Sequence, residues 1–174
     1  MKKFLLVIVS IVGLFGSSLA QDITMTSGSS TTYACGGGTF YDPGGTGNYA
    51  HSLTYTQTIC APAGQYLTFN FTSFNTESCC DRLIIYNGPN TGSPQIGTYA
   101  GSSNPGTVTV SPGQCVTFSF TSDGSITAAG FTATMSCSTT PPPPPPPEPG
   151  TCATSQPFCT APGTTSPAST STTA

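Results

Sequence analysis

The sequence has no tryptophan, one histidine and almost no basic residues: Lys2, Lys3 and Arg82 are its only cations, and charged residues make up 5% of the chain. Each shortage excludes something. Nucleic-acid binding displaces phosphate counterions with clustered Lys and Arg, and no such cluster exists here. The same lack argues against electrostatic docking on anionic lipid. A zinc site is equally unsupported, because no Cys-x-x-Cys pair occurs and His51 has no histidine partner. His51 stands beside Ser52, but adjacency does not supply the geometry of a Ser-His-Asp triad. With no second histidine and no lysine after Lys3, the usual general bases are missing. Two carboxylates can form a glycosidase pair, yet neither tryptophan nor a long cleft-forming insertion accompanies them. The chain reads as non-catalytic.

The amino terminus has the three-part layout of a secretory signal. Lys2 and Lys3 precede an apolar run from Phe4 to Phe15, and Ser18-Leu19-Ala20 offers small residues for signal peptidase. Residues 1–20 are therefore expected to be removed near Ala20, the mature chain starting at Gln21. An uncleaved anchor or a buried helix is the competing account. The apolar run is too short to span a bilayer, and no later stretch is long enough, so membrane insertion is not expected. No cysteine follows Ala20, which argues against a lipid anchor there. Cleavage would leave Arg82 alone against Asp22, Asp42, Glu77, Asp81, Asp123 and Glu148. The expected location is secreted or cell-surface.

Cysteine, by contrast, is plentiful. All eight lie after the leader: Cys35, Cys60, Cys79, Cys80, Cys115, Cys137, Cys152 and Cys159. In an exported protein that count reads as disulfides. Low charge does not mean disorder here, because residues 31–137 are rich in Phe, Tyr, Val and Ile. Leu67, Phe69 and Phe71 alternate with polar residues, as do Val116, Phe118 and Phe120, and again Phe131, Ala133 and Met135. A period of two puts each set on one face of a half-buried strand. Residues 53–59, 82–86, 95–99 and 107–110 are further strand candidates. Turns between them carry Gly and Pro, as in Asn87-Gly88-Pro89 and Ser111-Pro112-Gly113. Seven or eight short strands without helical periodicity predict an all-β, antiparallel, disulfide-braced β-sandwich over residues 21–140. Gly64-Gln65 opens a strand with alternating Phe, and 49 residues later Gly113-Gln114 opens another. The echo indicates two strands in similar sheet environments, since a copy that short is a marginal fold alone.

Beyond the sandwich, residues 141–149 hold seven consecutive prolines and then Glu148-Pro149. Such a run forms a polyproline helix, a stiff spacer about 28 Å long. SH3 and WW domains also read prolines, but inside the cell. Residues 150–174 are too polar for a domain: they contain Cys152, Cys159 and a Ser/Thr-rich tail. Two accounts stand, the opening of a further module cut short or a disordered, glycosylated stalk.

Four carboxylates of the folded piece need explaining. Asp42 begins Asp-Pro-Gly-Gly, where turn formation accounts for it. Glu77 and Asp81 flank Cys79-Cys80 ahead of a strand, and Asp123 follows another in Ser-Asp-Gly-Ser. Loops at strand ends gather at the poles of a sandwich, so Glu77, Asp81 and Asp123 can converge into an oxygen cage for Ca2+. The alternative is that Glu77 and Asp81 pair with Arg82 while Asp123 caps its own turn. Two smaller signals complete the reading. Asn70-Phe71-Thr72 is a glycosylation sequon within a strand, and Tyr41, Tyr49 and Tyr55 can supply either a binding face or half-buried strand positions.

The segment from Phe71 through Thr76-Glu77-Ser78-Cys79-Cys80-Asp81-Arg82 to Gly88 resembles the central motif of the CUB family. Ile96 to Gly101 is similar to that family's following strand. Phe118 to Ser125, with Gly130-Phe131, matches its closing pattern, and Asp42 to Tyr49 sits at its entry loop. The match covers residues 35–137 through ordered motifs. The proline-rich spacer and Cys-containing tail are similar to modules of large bacterial surface proteins. The resemblance implies a jelly-roll-like sandwich that binds extracellular proteins and holds calcium through Tyr49, Glu77, Asp81 and Asp123, with Ser125 near. The chain departs from the family pattern in three ways: Glu77 and Asp81 are closer together, Cys60 lies further along its strand, and Ala100 stands where a cysteine precedes the glycine. Six cysteines up to Cys137 allow 15 connectivities. Cys35 with Cys60 is favoured, and a vicinal Cys79–Cys80 bond is not expected because it would be strained. A binding or adhesion module is the leading expectation. A carbohydrate-binding module attached to a secreted hydrolase is the alternative, weakened by the lack of tryptophan, and a purely structural spacer domain is the third.

Overall fold

Where apolar and polar residues alternate, the chain forms strand. The computed structural model describes residues 20–143, so residues 1–19, most of the polyproline run and the tail with Cys152 and Cys159 lie outside the description. Ten strands follow in order: β1 (Ile23–Thr24), β2 (Ser29–Thr32), β3 (Gly38–Tyr41), β4 (Thr54–Cys60), β5 (Tyr66–Asn75), β6 (Arg82–Tyr86), β7 (Gln95–Tyr99), β8 (Thr107–Val110), β9 (Cys115–Thr121) and β10 (Gly130–Ser138). β6, β7 and β8 have the bounds of the strand candidates at residues 82–86, 95–99 and 107–110. β1, β2 and β3 carry no such signal. Ser29-Ser30-Thr31-Thr32 is polar throughout, and it becomes a strand only by pairing in parallel with β4 at a sheet edge.

The strands form two five-stranded sheets, ordered β1-β3-β10-β5-β8 and β2-β4-β9-β6-β7. The inner faces meet in an aromatic core. The Phe118 ring lies 4.7 Å from Phe40 and 5.0 Å from Phe69, and Phe131 lies 5.7 Å from Phe71. Tilted and edge-on contacts of this kind suit the ring quadrupoles and add to the burial of large apolar area. The echo at Gly64 and Gly113 now has a cause. It builds β5 and β9, inner strands of opposite sheets, whose Phe residues face one another across the core.

Cysteine pairing differs from expectation. Cys60 bonds Cys115, because β4 and β9 place them directly opposite with Cα atoms 3.9 Å apart. Cys35 bonds Cys137, since β3 runs beside β10 with Gly38 opposite Met135. The favoured Cys35–Cys60 pair is thereby excluded. Cys79 and Cys80 bond each other, also against expectation. Ala100-Gly101 packs against the loop holding them: the Thr76 amide donates to the Gly101 carbonyl, and a Cβ on Gly101 would lie 3.2 Å from that of Ser78. With alanine at position 100, no cross-loop cysteine is there to take either sulfur.

Candidate metal centre

One pole of the sandwich collects the loops that matter. In sheet register, Gly130 pairs with Asn75 at the end of β5, while Thr121 at the end of β9 pairs with Thr54 and Arg82. The loops after β3, β5 and β9 therefore emerge side by side. They carry Tyr49, then Glu77 and Asp81, then Asp123 and Ser125.

Asp81 is the hub. It is fully buried; its Oδ2 accepts a hydrogen bond from the Tyr49 hydroxyl at 2.5 Å, and its Oδ1 accepts from the Asp123 amide at 2.8 Å. The Tyr49 hydroxyl in turn accepts from the Glu77 amide at 3.0 Å. Three loops are thus locked through one carboxylate and one phenol. Tyr49 is buried against Phe120, 5.0 Å between rings, so it is no part of an exposed tyrosine face; Tyr41 and Tyr55 are half-buried strand residues. Burial and the bond to Asp81 push the Tyr49 phenol up to about 12.

Glu77, Asp81 and Asp123 each offer a carboxylate oxygen, and these lie within 4.8 Å of one another. Burial, then the charges of Asp123 and Asp81, raise the Glu77 carboxyl above its ordinary range. Among the described residues, its Oε2 is buried without a hydrogen-bond partner. Arg82 does not neutralise the group, because its guanidinium donates to the Cys79 carbonyl at 3.2 Å. Asp123 does cap its own turn: Oδ1 accepts from the amide of Ser125 at 2.8 Å and from its hydroxyl at 3.0 Å. Among the described residues, its Oδ2 has no donor. Two oxygens bound to one Ca2+ at about 2.4 Å lie at most about 4.8 Å apart, so the cluster has the size such an ion requires.

Sequence reasoning missed two supports of this pole. Thr76 is buried, and its Oγ1 accepts from the Gly101 amide at 2.9 Å and donates to the Asp81 carbonyl at 3.3 Å. Ser122 donates to the Ala50 carbonyl at 2.8 Å and accepts from the Leu53 amide at 3.0 Å. Both are hydroxyls at strand ends, a position where Ser and Thr bond local backbone. Asp42 also does more than its turn. Oδ1 accepts from the Gly44 amide as expected, but Oδ2 accepts from the Phe131 amide at 2.9 Å and fixes the start of β10. Nearby, Ser52 and Ile126 hold φ of 56° and 37°, and Ile126 is 63% exposed. His51 is exposed and, among the described residues, makes no hydrogen bond to Ser52. A separate groove of about 280 Å³ has Ser29, Ser30, Thr56, Thr58, Thr91 and Thr117 in its lining, with no aromatic ring on which a sugar would stack.

A two-sheet, disulfide-braced sandwich with an acidic cluster at one pole defines a class of all-β domain. The chain belongs to the CUB family, whose profile matches residues 29–135. Cubilin from Sus scrofa is 41% identical over 88 residues, 48% of this chain and 2% of that protein. The full extracellular region of zebrafish Gpr126/Adgrg6 shares 25% identity at a TM-score of 0.52, over 64% of this chain and 15% of that one. The MASP-1 CUB2 domain bound to Ca2+ shares the fold, with 22% identity and a TM-score of 0.51, over 63% of this chain and 98% of that one. The chain thus spans only a small part of the length of its curated relatives. Cubilin from Sus scrofa and the zebrafish Gpr126/Adgrg6 are animal proteins, and the expected likeness to bacterial surface modules finds no support in them.

Proposed function

We propose that this chain is a non-catalytic binding module working outside the cell, in which Ca2+ held by Glu77, Asp81 and Asp123 fixes the loops that meet a protein partner. The carrying observation is the buried Oε2 of Glu77, without a hydrogen-bond partner among the described residues, within a group of three carboxylates that no cation of the described residues balances. A hard cation takes such oxygen ligands. Tyr49 and Ser125 orient the ligands, Tyr49 through Asp81 and Ser125 through Asp123. The calcium named with the MASP-1 CUB2 domain, which has the same fold, supports the reading. Ile126, exposed and held at positive φ beside Ser125, gives the partner an apolar contact next to the ion. A leader removed near Ala20 and a stiff proline spacer after the domain complete the proposed organisation.

Calcium titration of the full chain, read by melting temperature and calorimetry, tests the site. The melting temperature rises with Ca2+, and Asp123→Ala abolishes that rise. An unchanged melting temperature at millimolar Ca2+ overturns the metal reading.

A further inference from the structure

Glu77 belongs to two groups of ligand atoms. One is the oxygen cluster with Asp81 and Asp123; the other joins it to the sulfurs of Cys79 and Cys80, again with ligand atoms within 4.8 Å of one another. We propose that the Cys79–Cys80 bridge is a reducible element, and that its dithiol form, with Glu77, takes up a thiophilic divalent cation at the expense of calcium. The inference rests on the calcium reading above for the competition, though not for the sulfur site itself.

Three observations carry it. Cys79 is exposed and Cys80 half-buried, whereas Cys35, Cys60, Cys115 and Cys137 are all half-buried, Cys60–Cys115 tying β4 to β9 and Cys35–Cys137 tying the segment before β3 to β10. The vicinal bridge joins no two strands, so opening it leaves both sheets and the other two bridges in place. Finally, a third ligand stands beside the pair: a carboxylate oxygen of Glu77 lies within 4.8 Å of both sulfurs.

The chemistry balances with a dithiol reductant. One thiolate of the reductant attacks a sulfur of the bridge and forms a mixed disulfide. Its second thiol displaces that cysteine, and the reductant leaves as a cyclic disulfide. Two electrons pass to the cysteine pair, and two protons appear on its sulfurs. A divalent metal then replaces those protons. Thiolate selects soft or borderline ions such as Cd2+, whereas carboxylate and carbonyl oxygen suit calcium. Because Glu77 cannot serve both groups fully, occupation of the sulfur site withdraws a ligand from the oxygen cluster.

The test uses the full chain, its Cys79→Ser/Cys80→Ser variant, a dithiol reductant and Cd2+. Alkylation and mass mapping report which bridge opens first, and ultraviolet sulfur-to-metal charge transfer reports Cd2+ on thiolate. The expected result is that Cys79–Cys80 opens before the other two bridges. The reduced chain then binds one more Cd2+ through sulfur than the reduced double variant, and this cadmium removes the calcium-dependent rise in melting temperature. Cys152 and Cys159 are present in both proteins, so the difference belongs to the vicinal pair. Equal charge transfer in both, or earlier opening of Cys35–Cys137 or Cys60–Cys115, overturns the proposal while leaving the calcium reading standing. If the oxidised chain shows no calcium response, the calcium reading fails, and the claimed competition is overturned with it. The charge-transfer difference still decides the sulfur site.

Discussion

Asp42 and Asp81 are both fully buried carboxylates, and each accepts two hydrogen bonds, yet they do opposite things. Asp42 is satisfied by two backbone amides, of Gly44 and Phe131, and joins a turn to the start of β10. Asp81 takes one backbone amide and one phenol, and both lead onward to further carboxylates, Asp123 and Glu77. The first arrangement is closed and the second is open. A buried acid surrounded only by backbone donors serves the fold; one whose neighbours are themselves acids, with a Glu77 oxygen left over, is the arrangement on which the proposed calcium site rests.

The largest way to break the comparison is to remove the hub. Asp81→Ala orphans the Tyr49 hydroxyl proton and the Asp123 amide, at a cost of about 2–4 kcal/mol in chelator. It also eliminates any calcium response, which a denaturant melt with and without Ca2+ measures. Next comes pH, which singles out Asp42. Burial outweighs its amide bonds and raises its carboxyl from 3.8 to about 6. The folded chain therefore binds this proton at a pH where the unfolded chain has released it. The contribution is fully present below about pH 4 and is lost as pH rises through 6, a change of about 3 kcal/mol. Glu77, also raised, adds in the same direction. Melts in chelator from pH 4 to 7 should show the decline, and Asp42→Asn should flatten it.

Gly130→Ala comes third. The added Cβ would lie 2.2 Å from the Asp42 carboxyl carbon, on a residue at φ +68°. A loss of about 2–4 kcal/mol is expected, with calcium affinity retained, which calorimetry checks. The smallest effect sharpens the contrast. Asp123→Ala in chelator loses only the Ser125 cap, about 1 kcal/mol, so most of its consequence should appear when calcium is present.

Much of this was legible in the residues. Phe118 and Phe131 lie inward because their strands alternate, and Asp81 and Asp123 meet because loops at strand ends share a pole. Other features depend on partners far along the chain. Nothing in Ser29-Ser30-Thr31-Thr32 announces a strand, since β4 makes it one. Cys60 and Cys115 are opposed only once the register of β4 and β9 is set, and a one-residue slip would turn them to opposite faces. The second bond of Asp42 is invisible for the same reason: Phe131 is 89 positions away.

The placement of β10 bears on how the chain can be made. It is the last strand among the described residues, yet it lies between β3 and β5 in the middle of its sheet, and Cys137 closes a loop of 102 positions back to Cys35. As synthesis proceeds from the amino end, Phe40 and Phe69 have no completed sheet to sit in until residue 138 is available. Folding is therefore a late, near-concerted event with slow, long-range pairing. Until then the apolar residues of β3 and β5 lack the strand they share as a partner.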